Sequence, residues 1–95
     1  MTFDRFQARV AESTPPGDLS PSLLALWHDA RGNWDDAHRV AQDIEGAEGA
    51  WIHAYLHRKE GDVSNAAYWY RRAGQPVATD ALEDEWMRIA RAFTS

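Results

Sequence analysis

Two stretches of the chain carry the same pattern: ARGNWDDA at residues 30–37 and KEGDVSNA at residues 59–66. In each stretch a glycine is followed at once by Asn or Asp, residues that favour the cap position of a helix, and an alanine stands five positions after the glycine. A glycine that ends one helix, followed by a residue that caps the next, is typical of a helix-turn-helix unit. Because Gly61 lies 29 residues after Gly32, the sequence predicts two such units in tandem.

The segments on either side of these units also have helical signals. Residues 3–10 and 82–93 carry apolar side chains at helical spacing, and Ser20-Pro21 is typical of a helix start. The second unit is predicted to open with a helix from about Ala50 to Glu60, and Asp80 with Glu83 is predicted to form a capping box for the last helix. The sequence contains no strand pattern. We therefore predict an all-α protein with six helices.

Composition excludes several classes of function. The chain has 95 residues, which suits one domain, and its five tryptophans can supply much of a small core. A formal net charge of −5 disfavours a nucleic-acid partner, and the absence of cysteine excludes disulfides and thiol chemistry. There is no apolar run long enough to span a membrane and no signal-peptide pattern, so a cytoplasmic protein without a membrane partner is expected.

The turn Gly-Asn-Trp-Asp-Asp-Ala at residues 32–37 resembles that of the tetratricopeptide repeat family. The segment AAYWYRRA at residues 66–73 is similar to the second helix of the related Sel-type repeat, and residues 51–74 are similar to a group of short proteins of unassigned function. The resemblance covers about residues 20–75. The chain departs from the family in its 29-residue period, which is shorter than the usual ~34, and in having His28 and His57 where a large aromatic residue is usual.

The resemblance implies antiparallel helical hairpins stacked as a short right-handed superhelix with capping helices. Residues 1–95 would form a single domain, with residues 1–18 as an N-terminal capping helix and linker, 19–45 as the first repeat unit, 46–75 as the second and 76–95 as a C-terminal capping helix. Two repeats are fewer than such arrays usually need to be stable alone, which is why the first and last helices are expected to be caps.

By the same resemblance, the first helix of each unit would line a concave binding groove. Its residues would be Leu26, Asp29, Trp51, Tyr55 and Arg58, and the last three also share one helical stripe by their spacing. Trp, Tyr and Arg are enriched among interface residues that dominate binding energy. We therefore expect a non-enzymatic module that binds a protein or peptide, as a monomer or homodimer, without a cofactor. The alternative is that Trp51 and Tyr55 are buried under a capping helix.

A second function from a different class is a small metal- or ligand-binding protein. His53 and His57 are four residues apart on one helix, a spacing that can direct two imidazoles at one metal ion. His28 is the repeat equivalent of His57 and could approach from the neighbouring hairpin as a third member, but spacing fixes no third ligand. This helix lacks the glutamate of the zinc-protease motif, and no catalytic residue is predicted.

Overall fold

A computed structural model of the chain describes residues 1–94, which form six α-helices and no strand. The all-helical prediction is therefore confirmed for this range. Ser95, the last residue of the predicted C-terminal segment, lies outside it. The helices are α1 (Phe3–Arg9), α2 (Pro21–Ala30), α3 (Trp34–Gln42), α4 (Gly46–Glu60), α5 (Val63–Ala73) and α6 (Leu82–Ala92).

Capping residues and a glycine with positive φ form the helix start at Ser20-Pro21 and the turn at Gly61-Asp62. The Ser20 hydroxyl accepts the N–H of Leu23 at 3.3 Å, with Pro21 as the first residue of α2. Gly61 ends α4 with φ of +91°, a left-handed conformation that glycine adopts without steric cost. The next residue, Asp62, caps α5 by accepting the N–H of Asn65 at 3.3 Å. The second repeated stretch thus forms the predicted helix-turn-helix.

Asn33 takes the predicted N-cap position of α3, but its side chain makes no capping bond. Two other local predictions were wrong. Helix α4 begins at Gly46 instead of near Ala50, because a glycine at φ +80° lets the chain enter the helix earlier. Helix α6 begins at Leu82 without a capping box, because the Asp80 carboxylate binds the Arg88 guanidinium at 3.0 Å.

Helix α4 is the centre of the molecule. It packs against α5 and α3, while α2 packs against α3, so the chain contains two hairpins side by side. Residues 49–57 of α4 are all buried. A helix that is enclosed on every side has to lie in the core, and its two histidines are buried with it.

The terminal helices close the remaining faces. Helix α6 contacts α2 and α4, and Trp86 stacks on Phe6 of α1 with ring centroids 5.7 Å apart. The Trp27 indole donates to the Arg9 carbonyl at 2.8 Å and so fixes the end of α1 on α2. The molecule measures 33 × 25 × 25 Å. Among the helices of residues 1–94, none combines the length and the apolar character that a membrane span requires.

Candidate functional site

The residues predicted to line an open groove are mostly buried. Leu26, Asp29, Trp51 and Tyr55 are between 0 and 8% exposed. The fifth residue, Arg58, is half-buried and forms an ion pair with the fully buried carboxylate of Glu85 at 2.7 Å. Trp51 and Tyr55 therefore do not form an exposed contact surface.

Helix α6 and Phe93, the residue after it, cover this face, and the Phe93 ring meets that of Trp51 with centroids 5.9 Å apart. The Trp86 indole donates to the Leu26 carbonyl of α2 at 3.0 Å, and Glu85 accepts from Arg58 of α4 and from the Tyr70 hydroxyl of α5, the latter at 2.5 Å. Burial and hydrogen bonding to Glu85 raise the pKa of Tyr70. The C-terminal helix thus covers the face of α2 and α4 that the resemblance assigned to a partner.

An open cleft remains beside this covered face. It has a volume of about 560 Å³ and is lined by Asp29, Ala30, Tyr55, Lys59, Leu82, Glu83 and Trp86. We call it the α2/α4/α6 cleft. The buried Asp29 carboxylate accepts from the Tyr55 hydroxyl and from the Lys59 ammonium, each at 2.9 Å. Two of the five predicted binding residues, Asp29 and Tyr55, therefore line a cleft, although their polar groups are already paired.

The second candidate site brings together three histidines. His53 and His57 lie on α4, as their spacing predicted, and His38 of α3 completes the group. One ligand atom from each imidazole lies within 4.8 Å of the other two. The Nε2 atoms of His38 and His53 are 2.9 Å apart. We call these three residues the histidine cluster.

His28, which the repeat alignment suggested as the third member, is not part of this cluster. It lies on α2, where its ring meets the edge of Trp27 with centroids 5.2 Å apart. Its Nδ1 is buried and has no hydrogen-bond partner among the described residues. His38 joins the cluster because α3 packs directly on α4. One sequence feature could have pointed to His38. It lies four residues after Trp34, so the two rings share one face of α3, as His53 and His57 share one face of α4.

Aromatic side chains enclose the histidine cluster. The Trp34 ring stacks on His38 with centroids 5.0 Å apart and an interplanar angle of 12°. Its indole N–H donates to the Leu56 carbonyl at 2.9 Å, which fixes this orientation. On the other flank, the Trp69 ring lies 4.2 Å from that of His53. Fixed neighbours of this kind restrict the rotamers of the imidazoles.

A carboxylate orients His57. Its Nδ1 lies 2.5 Å from Glu60 Oε2, and because an ionised carboxylate only accepts, Nδ1 is the donor. In this tautomer the acceptor lone pair is on Nε2, where the Asn65 side-chain nitrogen lies 3.5 Å away. A carboxylate behind a histidine is the usual outer-shell arrangement of histidine metal ligands. Glu60 and Asp62, both exposed, also form a group with His57 in which one ligand atom from each residue lies within 4.8 Å of the other two.

The surroundings keep two of the imidazoles neutral. Burial, with smaller contributions from the neighbouring His38 and His57, lowers the pKa of His53 to about 4. Burial and His57 also lower the pKa of His38. Below its pKa a histidine is protonated and has no lone pair for a metal, so a lowered pKa keeps the ligand form present at neutral pH.

Comparisons with models of protein families, with curated proteins and with solved structures gave no match to this chain.

Proposed function

We propose that this protein binds a transition-metal ion, with Zn²⁺ as the favoured ion, through His38, His53 and His57. The observation that carries the proposal is the convergence of three imidazole ligand atoms within 4.8 Å of one another, from two helices. Imidazole nitrogen is a common zinc ligand at ~2.0–2.1 Å. Two ligands at that distance in a tetrahedral site are roughly 3.4 Å apart. The 2.9 Å between His38 and His53 requires only a small ring movement to reach this spacing.

Three features around the cluster support the same conclusion. Two of the imidazoles have lowered pKa values, so protons compete weakly for their lone pairs at neutral pH. Glu60 fixes the tautomer and orientation of His57. The site lies at the contact of α3 and α4, so a bound ion would link the two hairpins and stabilise their packing.

The test is zinc binding by the purified chain without a polyhistidine tag. Native mass spectrometry should show one ion per chain that EDTA removes, and calorimetry should show its affinity falling by at least about 100-fold in His38→Gln. The matched control is His28→Gln, which changes a histidine outside the cluster and should bind zinc like the wild type. Circular dichroism checks that both variants are folded. Failure of the wild type to retain zinc, or equal losses in both variants, would refute the proposal.

We further infer that α2–α5 are two tetratricopeptide-like units. The support is the repeated turn and the burial of the four alanines at equivalent positions of the two hairpins, which are Ala25, Ala37, Ala54 and Ala66. Small side chains allow the two arms of a hairpin to approach closely. In this interpretation α6 occupies the face that a ligand would cover in a longer array.

Partner binding is the second candidate function, and the α2/α4/α6 cleft is the observation that favours it. The rim residue Glu83 is exposed, and a partner with a basic side chain would complement it. Affinity capture should recover the same partner with the wild type and with Glu48→Lys, an exposed site on α4 outside the cleft lining. Glu83→Lys should lose that partner. Equal recovery of the partner by both variants would contradict the proposal that the α2/α4/α6 cleft binds it.

A further inference from the structure

A cavity lies directly beside the histidine cluster. It has a volume of about 400 Å³, and His53 and Trp69 form part of its wall together with Arg72. The remaining wall includes the exposed residues Gln42 and Glu45, so the cavity opens toward solvent. We call it the Arg72 cavity. It places one of the three proposed metal ligands at the wall of a space large enough for a small molecule.

The histidine cluster supplies three ligands, which is one fewer than a closed tetrahedral site. Among residues 1–94, the grouping around His38 and His53 contains no fourth ligand atom. The Glu60 carboxylate, which lies behind His57, is engaged through Oε2 with that ring. Zinc sites with three protein ligands keep water or another small ligand in the fourth position. The composition of the cluster therefore predicts an exchangeable position on the ion.

Arg72 is the cation of this cavity and has no carboxylate partner among the ion pairs of residues 1–94. Its guanidinium lies 5.2 Å from the Trp69 ring centroid, and it donates to the Tyr68 hydroxyl at 3.0 Å. The same Trp69 ring lies 4.2 Å from the ring of His53, so Arg72 and His53 both contact Trp69 and line the same cavity. A guanidinium offers several further N–H donors that match the two oxygens of a carboxylate.

The charge of the cavity favours an anion once the ion is bound. Glu45 is the acidic residue of the wall, and it is exposed to solvent. A divalent ion and Arg72 together outweigh this one carboxylate. The wall is largely polar, and its apolar part, which includes Trp69 and Ala50, suits the short hydrocarbon part of an organic acid.

We propose that the fourth position of the bound ion takes a small carboxylate, which enters through the Arg72 cavity and is attracted by Arg72. On binding, a carboxylate oxygen replaces a coordinated water molecule, which leaves to solvent, and no other bond changes. This inference rests on the proposed metal site. It adds the chemical class of the ligand that the loaded site would accept.

The experiment uses Co²⁺ in place of Zn²⁺, because the visible absorption of cobalt changes with its coordination. The Co²⁺-loaded protein is titrated with sodium acetate at constant ionic strength, maintained with sodium perchlorate. We expect a saturable spectral change in the wild type and a three- to tenfold weaker acetate affinity in Arg72→Gln. The matched control is Arg71→Gln, which removes an equal charge from the neighbouring exposed position of α5 and should behave like the wild type.

The outcomes separate the two proposals. If Co²⁺ does not bind, the metal site itself is refuted before acetate is added, and this inference falls with it. If Co²⁺ binds but acetate leaves the spectrum unchanged, the metal site stands and the carboxylate position is refuted. Equal acetate affinities in Arg72→Gln and Arg71→Gln would refute the role of Arg72.

Discussion

The Nε2 atoms of His38 and His53 lie 2.9 Å apart, although the two residues belong to different helices and are 15 positions apart in the chain. Burial lowers the pKa of both rings, and charge repulsion adds to this, from His57 at His38 and from His38 and His57 at His53. In the absence of a metal, one ring donates and the other accepts a hydrogen bond. The same two nitrogens can instead both face one ion, once the donating ring carries its proton on Nδ1 and has its lone pair on Nε2.

Zinc binding is expected to stabilise the fold. An ion that binds the folded chain but not the unfolded chain raises the free energy of unfolding. The increase is about 2.7 kcal/mol when the free ion concentration is 100 times Kd. For a chain of this size, that corresponds to a rise in Tm of roughly 10–20 °C. Thermal unfolding followed by circular dichroism, with zinc and then with excess EDTA, measures the change. An equal rise in His38→Gln would show that zinc acts elsewhere.

Acid is expected to destabilise the metal-free protein through His53. In the unfolded chain this histidine takes up a proton near pH 6.5, whereas in the folded chain its pKa is about 4. Between these values the unfolded state binds more protons, so the free energy of unfolding falls as the pH is lowered through this window. We expect His53 to contribute roughly 1–3 kcal/mol to that loss.

The measurement is urea denaturation at several pH values between 7 and 4.5, in the presence of EDTA. His53→Gln should lose less stability than the wild type over this range, because glutamine does not titrate. Parallel pH dependences in the two proteins would contradict the assignment of the effect to His53.

The ion pair between Arg58 and the buried Glu85 is expected to be essential for stability. Arg58→Met leaves the Glu85 carboxylate in the core with the Tyr70 hydroxyl as its one remaining side-chain partner among residues 1–94. Loss of one member of a buried pair typically costs about 3–5 kcal/mol. Arg88→Met is the control, because Arg88 pairs with Asp80 where both side chains are well exposed, and should cost less than about 1 kcal/mol. Chemical denaturation compares the two. Similar losses of unfolding free energy in the two variants would contradict the claim that burial of Glu85 makes its ion pair essential.

Gly49 is expected to tolerate no larger residue. A Cβ at this position would lie 2.0 Å from the Ile44 carbonyl oxygen, so the backbone before α4 would have to move. We expect Gly49→Ala to cost roughly 1–3 kcal/mol despite the better helix propensity of alanine. Gly17→Ala is the control, since a Cβ there meets nothing within 4 Å. Denaturation midpoints measure both, and a neutral Gly49→Ala would disprove the close approach.

Much of the fold was predictable because its signals are local. The turn at Gly61-Asp62 and the start at Ser20-Pro21 depend on backbone φ values and on caps within three residues, and both form as predicted. The local pattern predicted a capping box at Asp80, but the Asp80 carboxylate binds Arg88, eight residues away, instead. A pattern read over four residues does not include this competing partner.

The sequence by itself determined the six helices, their turns and the pairing of His53 with His57, because helix geometry alone places residues four apart on one face. Only the tertiary structure decided that His38, and not His28, completes the cluster, since this depends on which face of α3 meets α4. The tertiary structure also decided that α6 buries Trp51 and Tyr55 with their neighbours instead of leaving a groove. The rotation of one helix against another arises from packing of the whole core, and residue spacing within one helix does not specify it.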